Sequence, residues 1–235
     1  MRHPVQHAEF LVTAAADDQL PPVGPPEIAF AGRSNAGKSS AINALANRIR
    51  LAFTSKTPGR TQQINFFRLR GGALLADLPG YGYAAVPHAL KRHWQEFLAR
   101  YLATRQSLVG LVLVVDARHG LAEADAQLLA GYLASGRPVL VLATKVDKFA
   151  AAAQRVAQRA IERDIAAAFP VHAAQVTVVA FSATRRIGIE RAEQVLAGWL
   201  GGPANEDGGP TPDAAKEKAP RSRGVTRGPK DPRQG

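Results

Sequence analysis

The octapeptide GRSNAGKS at residues 32–39 constrains the fold more than any other feature of the sequence. It directly follows the apolar run EIAFAG, residues 27–32, and precedes apolar residues at helical spacing, namely Ile42, Leu45 and Ile49. The pattern G-x-x-x-x-G-K-S between a strand and a helix is typical of a phosphate-binding loop, whose backbone N–H groups point at phosphate oxygens. A glycine-rich turn that matches by chance lacks this context. The motif therefore predicts that Lys38 reaches the β- and γ-phosphates of a nucleotide and that Ser39 is a ligand of Mg²⁺.

The rest of the chain alternates strand and helix patterns. Six predicted strands lie at 27–32, 64–70, 73–77, 108–116, 138–145 and 175–181. Predicted helices follow the octapeptide as far as Ile49 and lie at 88–104, 122–134, 148–169 and 187–199. Gly71-Gly72 predicts a hairpin, and the continuously apolar strands indicate a sheet covered on both faces. We predict an α/β fold of three layers, with a mostly parallel six-stranded sheet that contains one antiparallel strand.

The segment DLPGYGYA, residues 77–84, supplies a second phosphate motif. Asp77 ends an apolar run and Gly80 follows three residues later. This spacing suits an acid that contacts Mg²⁺ through water and a backbone N–H that meets the γ-phosphate. Asp116, which closes the run LVGLVLVVD, is a rival acid of the Walker B kind. We favour Asp77 because only this acid has the following glycine.

The tetrapeptide TKVD, Thr144–Asp147, indicates which base is bound. The Asp147 carboxylate can accept from both the ring N–H and the amine of guanine, whereas adenine would leave the acid unpaired. The Lys145 stem can lie over the base while its ammonium braces the phosphate loop. An isolated TKVD is a common surface loop, but after two phosphate motifs in the proper order it indicates GTP. Phe181–Ala183 fits the weaker motif whose N–H groups meet the guanine carbonyl.

A polar loop at residues 50–62 has the composition of a nucleotide-dependent switch. It carries three threonines, Thr54, Thr57 and Thr61. The sequence PGRT makes Thr61 the first candidate for a second hydroxyl on Mg²⁺, released when the γ-phosphate leaves. Thr57 is the alternative, and spacing alone does not separate the two.

Taken together, these segments resemble the EngB family of GTPases, also called YihA or YsxC. The resemblance covers about residues 8–200 and rests on GRSNAGKSSAINAL, TPGRTQQINFF, DLPGYGYA, VDARHG, TKVD and FSA. It implies a P-loop GTPase domain of the group that includes TrmE, Era, EngA and the septins. It further implies Mg²⁺-dependent GTP hydrolysis, a switch role in assembly of the large ribosomal subunit, and a link to normal cell division and septation.

The resemblance also implies a set of site residues. Those on phosphates and Mg²⁺ are Gly32, Arg33, Ser34, Asn35, Ala36, Gly37, Lys38, Ser39, Gly59, Arg60, Thr61, Gln62, Gln63, Asp77, Leu78, Pro79 and Gly80. Those on guanine are Thr144, Lys145, Val146, Asp147, Phe181, Ser182 and Ala183. The expected metal ligands are Ser39, Thr61 and Asp77. The expected catalytic residues are Asn35, Lys38, Thr61 and Gly80.

Tyr81 stands where many GTPases carry a glutamine that orients the attacking water. A phenol is a poor substitute for a carboxamide that must both donate to and accept from water. The resemblance accounts for it, since EngB proteins place a hydrophobic residue at this position. Related GTPases use an asparagine of the phosphate loop, here Asn35, to hold a potassium ion that stabilises charge as an arginine finger does. The alternative is that Asn35 only caps its own loop.

Charge indicates a polyanionic partner. The chain has 30 Lys and Arg against 19 Asp and Glu, a net charge of +11, which favours nucleic acid. Arg155, Arg159 and Arg163 recur at spacing four on one predicted helix, and such a stripe is either a solvated face or an RNA contact. We expect binding to the large ribosomal subunit and its RNA. The alternative is a division or signalling GTPase whose partner is a protein, and an ATPase is a third, weaker interpretation.

Composition also sets the expected domain organisation and compartment. We predict an N-terminal extension at 1–24, a GTPase domain at 25–201 and a disordered basic tail, rich in Pro and Gly, at 202–235. The sequence contains no cysteine, so disulfides and thiolate metal sites are excluded. The first ten residues lack the apolar region of a secretory signal, and the longest apolar run, 108–115, is too short to cross a bilayer. A cytoplasmic monomer without membrane insertion is expected.

Overall fold

One seven-stranded sheet organises the computed structural model of the chain. The structure describes residues 5–52, 63–81 and 88–201, with 88–94 described by backbone alone. The strands are β1 (Glu9–Ala14), β2 (Glu27–Gly32), β3 (Ile64–Arg68), β4 (Leu74–Asp77), β5 (Leu108–Asp116), β6 (Val139–Thr144) and β7 (Val176–Ala180). Their order in the sheet is β1-β3-β4-β2-β5-β6-β7. All belong to one compact unit, Met1–Ala204.

Strand directions match the expectation of one antiparallel strand. β3 pairs antiparallel with both β1 and β4, while β2, β4, β5, β6 and β7 pair in parallel. The turn between β3 and β4 contains Gly72 with φ 88°, as the Gly71-Gly72 signal predicted. The prediction of six strands was wrong by one. β1, inside the predicted N-terminal extension, adds an edge strand whose register shifts between Phe10 and Val12, and this bulge hides the alternation that marks a strand.

Five helices cover the two faces of the sheet in the described part of the chain. They are α1 (Lys38–Leu45), α2 (His88–Thr104), α3 (Glu123–Leu133), α4 (Ala151–Ala168) and α5 (Ile189–Trp199). The predicted bounds hold to within three residues except in α1. That helix ends at Leu45 rather than continuing to Ile49, because Asn47 adopts a left-handed φ of 50° and Ile49 is 94% exposed. None of the helices in the described ranges has the length and apolarity of a membrane span.

The core consists of two layers of side chains, one on each face. One face packs α2, α3 and α4 through residues such as Phe97, Leu129 and Ile161. The other packs α1 and α5 through residues such as Ile42 and Leu196. Alternate residues of the central strands serve each layer, which explains why β5 and β6 are apolar throughout. The architecture is the predicted three-layer α/β domain.

A buried ion pair fixes the amino end of β2, at the opposite end of the strand from the phosphate loop. Glu27 is fully buried and its carboxylate accepts from Arg105, with both oxygens 3.0 Å from Nε. The Tyr101 hydroxyl donates to the same carboxylate at 3.0 Å. Arg105 Nη2 donates to the Pro21 carbonyl at 2.7 Å. Both oxygens of the buried Glu27 carboxylate therefore have hydrogen-bond donors, as burial of a charge requires.

Candidate nucleotide-binding site

Five loops meet where the parallel strands end. They are residues 32–38 after β2, 78–81 after β4, 117–120 after β5, 145–148 after β6 and 181–183 after β7. In open α/β sheets, ligands bind beyond the carboxyl ends of the strands. The topology thus brings the predicted phosphate and guanine motifs to one edge of the sheet.

The phosphate loop turns sharply between β2 and α1. Asn35 and Gly37 both have left-handed φ values, 64° and 100°. The conformation of Gly37 is unfavourable for any residue with a side chain, and a Cβ there would stand 3.4 Å from Thr144 Oγ1. α1 begins at Lys38, so its free N–H groups face the loop. The Lys38 ammonium makes a short ion pair with the Asp77 carboxylate, and both side chains are largely buried.

The segment after β4 lies directly against this loop. The Ser34 N–H donates to the Tyr81 carbonyl at 3.0 Å, and the Tyr81 N–H donates to the Gly32 carbonyl at 3.4 Å. A Cβ on Gly80 would lie 3.2 Å from the Ser34 nitrogen, so a larger residue would push the two segments apart. The structure places Asp77, Gly80 and the phosphate loop together, as the order of the motifs suggested.

The Tyr81 side chain is directed at α3. Its hydroxyl donates to Asp125 Oδ1 at 2.7 Å, and Asp125 Oδ2 accepts from the Ala122 N–H at 3.0 Å. Asp125 is 1% exposed. Burial, reinforced by the neighbouring carboxylate, raises the pKa of the Tyr81 phenol well above its ordinary value, so it stays neutral. Asp125 was not among the predicted site residues, although an acid in the first turn of a helix is a recognisable N-terminal signal.

Lys145 and Thr144 connect the guanine loop to the phosphate loop. The Lys145 ammonium donates to the Asn35 carbonyl at 2.7 Å, and the Thr144 hydroxyl donates to the Ala36 carbonyl at 2.5 Å. Lys145 itself has a left-handed φ of 61°, which turns the chain away from β6. These contacts couple the position of the base-binding loop to that of the phosphate-binding loop.

Asp147 is the residue predicted to accept hydrogen bonds from guanine. It lies in a short 3₁₀ turn, Val146–Lys148, directly after β6. The Ser182 hydroxyl donates to Asp147 Oδ1 at 2.7 Å, while Lys148 Nζ lies 3.7 Å from Oδ2. The Ser182 hydrogen bond is the main reason that the pKa of Asp147 is lowered from its ordinary value. The carboxylate is therefore ionised and oriented before any ligand arrives.

The Phe181–Ala183 segment is joined to the same turn. The Phe181 N–H donates to the Ala143 carbonyl at 2.8 Å, and the Val146 N–H donates to the Phe181 carbonyl at 3.3 Å. The Phe181 ring is fully buried and anchors the segment in the core. Ser182 is also 1% exposed, so the contact between its hydroxyl and Asp147 is shielded from water.

Asp116, the rival acid, is paired with two basic side chains. Arg118 Nε and Nη2 lie 3.0 and 2.7 Å from its two oxygens, and Lys145 Nζ lies 2.8 Å from Oδ2. Burial of the Asp116 carboxylate raises its pKa, but these hydrogen bonds outweigh burial and hold the pKa well below its usual range. The arrangement organises the loop after β5, and the contribution of Arg118 was not anticipated from sequence.

Several predicted site residues lie outside the described part of the chain: Thr54, Thr57, Gly59, Arg60, Thr61 and Gln62. Gln63 is described and is exposed just before β3. Among the described residues, no group of three or more His, Cys, Asp or Glu side chains is placed to hold a metal. The hydroxyl of Ser39 and the carboxylate of Asp77 are hard oxygen donors of the kind Mg²⁺ takes together with phosphate oxygens and water, so the donor set fits this ion.

This fold, with a glycine-rich loop between β2 and α1 and the TKVD loop beside it, defines a P-loop GTPase domain. The chain belongs to the EngB family of GTP-binding proteins. It is 50% identical over 215 residues to the probable GTP-binding protein EngB of Azoarcus sp. strain BH72, covering 92% of this chain and 97% of that relative. It is 51% identical over 201 residues to the EngB of Aromatoleum aromaticum, covering 86% and 91%.

A family model also matches this chain, and two solved structures share its fold. Residues 27–145 match a family described as 50S ribosome-binding GTPase. A crystal structure of a probable GTP-binding protein EngB has a TM-score of 0.58 at 22% identity and covers 74% of this chain and 98% of that chain. Era in complex with MgGDPNP and nucleotides 1506–1542 of 16S ribosomal RNA has a TM-score of 0.56 at 19% identity, covering 80% and 60%. These two likenesses show the fold alone.

Proposed function

We propose that the protein binds GTP in this site and hydrolyses it to GDP with Mg²⁺. The observation that carries the proposal is the oriented carboxylate of Asp147. It is held by Ser182 at 2.7 Å, beside a lysine that spans to the phosphate loop. An ionised double acceptor at the base position matches the adjacent ring N–H and amine of guanine and leaves adenine mispaired. The similarity to proteins named as probable GTP-binding EngB proteins supports the same ligand.

Different residues of the site would bind the phosphates and Mg²⁺. Backbone N–H groups of the phosphate loop and of Gly80 would bind phosphate oxygens, and Lys38 would exchange part of its contact with Asp77 for the β- and γ-phosphates. Ser39, Asp77 and Thr61 would hold Mg²⁺, which when bound neutralises charge on the phosphates. These residues would position the phosphates and stabilise the charge that develops on them.

Hydrolysis without a partner should be slow. The residue after Gly80 is Tyr81, whose neutral hydroxyl is engaged by the buried Asp125 and faces α3. It is a poor candidate for orienting the attacking water. We infer an unassisted rate on the order of 10⁻⁴ to 10⁻² per second, the range of GTPases that act without a partner protein. A potassium ion held with the help of Asn35 would raise this rate.

We propose further that the GTP-bound protein binds the large ribosomal subunit as an assembly switch. The net charge of +11 favours a polyanion, and the matched family model is described as a 50S ribosome-binding GTPase. Arg155, Arg159 and Arg163 are exposed on α4, on the side away from the buried Ile161 and Ile165. None of the three arginines has an ion-pair partner among the described residues. A link to cell division would follow from this role or from a protein partner.

Pelleting with purified large subunits tests this role. The protein would be mixed with subunits and either a non-hydrolysable GTP analogue or GDP across a salt series. We expect more protein in the pellet with the analogue and a steep loss as salt rises, because phosphate contacts release counterions. Deleting residues 202–235 should weaken binding but preserve the preference for the analogue. Charge reversal at Arg155, Arg159 and Arg163 measures what the α4 stripe contributes.

Three results would contradict the ribosomal role. Equal pelleting in both nucleotide states would remove the switch, and pelleting that is indifferent to salt would remove the RNA contact. Either outcome would favour the alternative, a division or signalling GTPase with a protein partner. Protein that stays in the supernatant under all conditions, with GTP binding intact, would favour the same alternative.

A further inference from the structure

A short loop after α1 projects from the domain with an unusual composition. Residues 47–50, here named the α1 tip, are all exposed, and Ile49 between Arg48 and Arg50 is 94% exposed. A large aliphatic side chain so fully in water contributes nothing to the core. Neither arginine has an ion-pair partner in the part of the chain that the structure describes.

The α1 tip is held in a defined conformation by one residue, Asn43. The Asn43 backbone carbonyl accepts from the Arg48 N–H at 3.0 Å. Its side-chain oxygen accepts from the N–H groups of Leu51 and Ala52 at 3.0 and 2.8 Å, and its amide donates to the Ala52 carbonyl at 3.0 Å. These four hydrogen bonds attach both ends of the α1 tip to the helix.

The base beneath the α1 tip is packed. Ala52 is 4% exposed, and Leu51 packs against the core layer shared by α1 and α5. At the other end, Asn47 takes the left-handed conformation that ends the helix. The loop is therefore ordered before any partner arrives, so little conformational entropy would be lost when the α1 tip is bound.

We propose that the α1 tip is a preformed contact for RNA of the large ribosomal subunit, with Arg48 and Arg50 on phosphates and Ile49 against a base or ribose. The inference rests on the proposed ribosomal function and adds the surface that serves it. Arginines position a protein on the nucleic-acid backbone, and apolar side chains that include isoleucine insert between base steps in architectural DNA-binding proteins.

The composition favours RNA over a protein partner. The cores of protein–protein interfaces combine several apolar side chains and are depleted of charge. The α1 tip presents one apolar residue between two guanidinium groups that have no ion-pair partner in the described ranges, on a chain whose net charge is +11. A polyanion satisfies both arginines at once, whereas a protein partner would need two acids flanking an apolar pocket.

The salt dependence of subunit affinity in two variants distinguishes the arginine–phosphate contacts from the apolar contact of Ile49. In R48Q/R50Q, the slope of log affinity against log salt for purified large subunits should shrink by roughly 1.4 to 1.8, the value for two lost phosphate contacts. In Ile49→Ser the affinity should fall severalfold while the slope stays that of wild type. A matched control, R68Q/R70Q combined with Val171→Ser, removes equal charge and an aliphatic side chain that is 86% exposed elsewhere. A loss in the control equal to that in the α1 tip variants would overturn the proposal.

Crosslinking identifies what touches Ile49. Because the chain contains no cysteine, Ile49→Cys carries a photoactivatable maleimide at a single site. We expect crosslinks to ribosomal RNA in large subunits with the GTP analogue, and a much lower yield from Val171→Cys. Crosslinks only to ribosomal proteins, or a yield no higher than that of Val171→Cys, would contradict an RNA contact at the α1 tip.

Controls distinguish failure of this inference from failure of the ribosomal role. If the wild type does not bind subunits, the ribosomal function itself fails. If the wild type binds and the α1 tip variants bind with the same affinity and salt slope, only the inference fails. GTP affinity of Ile49→Ser and of the R68Q/R70Q and Val171→Ser control should equal that of wild type, since these residues lie outside the nucleotide site. R48Q/R50Q includes Arg50, the first residue of the predicted switch loop, so its subunit binding is measured at a saturating concentration of the GTP analogue.

Discussion

Replacing Ser182 with alanine should weaken GTP binding through Asp147. The substitution removes the hydroxyl that donates to Asp147 Oδ1 at 2.7 Å in a position 1% exposed. A hydrogen bond to a charged group contributes about 1.5 to 3 kcal/mol. If the whole contribution orients the carboxylate toward guanine, GTP affinity falls about tenfold to about a hundredfold. A matched control is Thr184→Val, which removes only the 3.1 Å contact between Thr184 and Ser182.

The same substitution should change the pH dependence of binding. Ser182 is the largest cause of the lowered pKa of Asp147, so Ser182→Ala raises that pKa toward its ordinary value. The ionised carboxylate accepts from guanine, so the variant should lose GTP at a higher pH than wild type as the solution is acidified. Titration with a fluorescent GTP analogue, from neutral pH into the acidic range, measures both effects. The reasoning is refuted if Ser182→Ala matches wild type and Thr184→Val in affinity and in pH profile.

Three further outcomes follow from the described contacts. Tyr81→Phe should leave the unassisted hydrolysis rate nearly unchanged. It should lower the free energy of unfolding, measured in urea, by about 1 to 3 kcal/mol, because the buried Asp125 loses a hydrogen-bond partner. A large loss of rate would instead show that the phenol is catalytic. Potassium should accelerate hydrolysis relative to sodium in single-turnover assays, and Asn35→Ala should abolish the difference between the two ions. If Asn35→Ala still hydrolyses GTP faster in potassium than in sodium, Asn35 only caps its loop. Gly188→Ala should lower the free energy of unfolding, measured in urea, by at least about 2 kcal/mol. The φ of Gly188 is 75°, and a Cβ would lie 2.1 Å from the Ala180 carbonyl oxygen. An unchanged free energy of unfolding would show that this backbone is free to relax.

Local patterns explain why much of the fold was predictable. Each central strand is an apolar run bounded by a loop with a recognisable motif, so β2, β5 and β6 were located from sequence. The phosphate loop was predictable because its glycines and its lysine answer backbone and charge requirements that few other residues satisfy. The TKVD segment was predicted to follow a strand, and the structure places it at the end of β6.

Features that depend on distant pairings were not predictable. β1 has a bulge and is defined by its register with β3, 52 residues away at the Thr13–Asn65 side-chain contact. The Tyr81–Asp125 contact joins the segment after β4 to the first turn of α3, and nothing local in either segment specifies the other. The early end of α1 depends on Asn47, a residue that tolerates the left-handed conformation without requiring it.

The nucleotide specificity of Asp147→Asn tests the central claim most directly. Asparagine removes the double acceptor that guanine needs and offers a donor to the carbonyl that xanthine carries in place of the guanine amine. Equilibrium binding of GTP, ATP and xanthosine triphosphate would be measured for the wild type and the variant. We expect the wild type to select GTP over ATP, and the variant to lose GTP affinity sharply while gaining affinity for xanthosine triphosphate. Equal binding of ATP and GTP by the wild type, or unchanged GTP affinity in Asp147→Asn, would contradict the account.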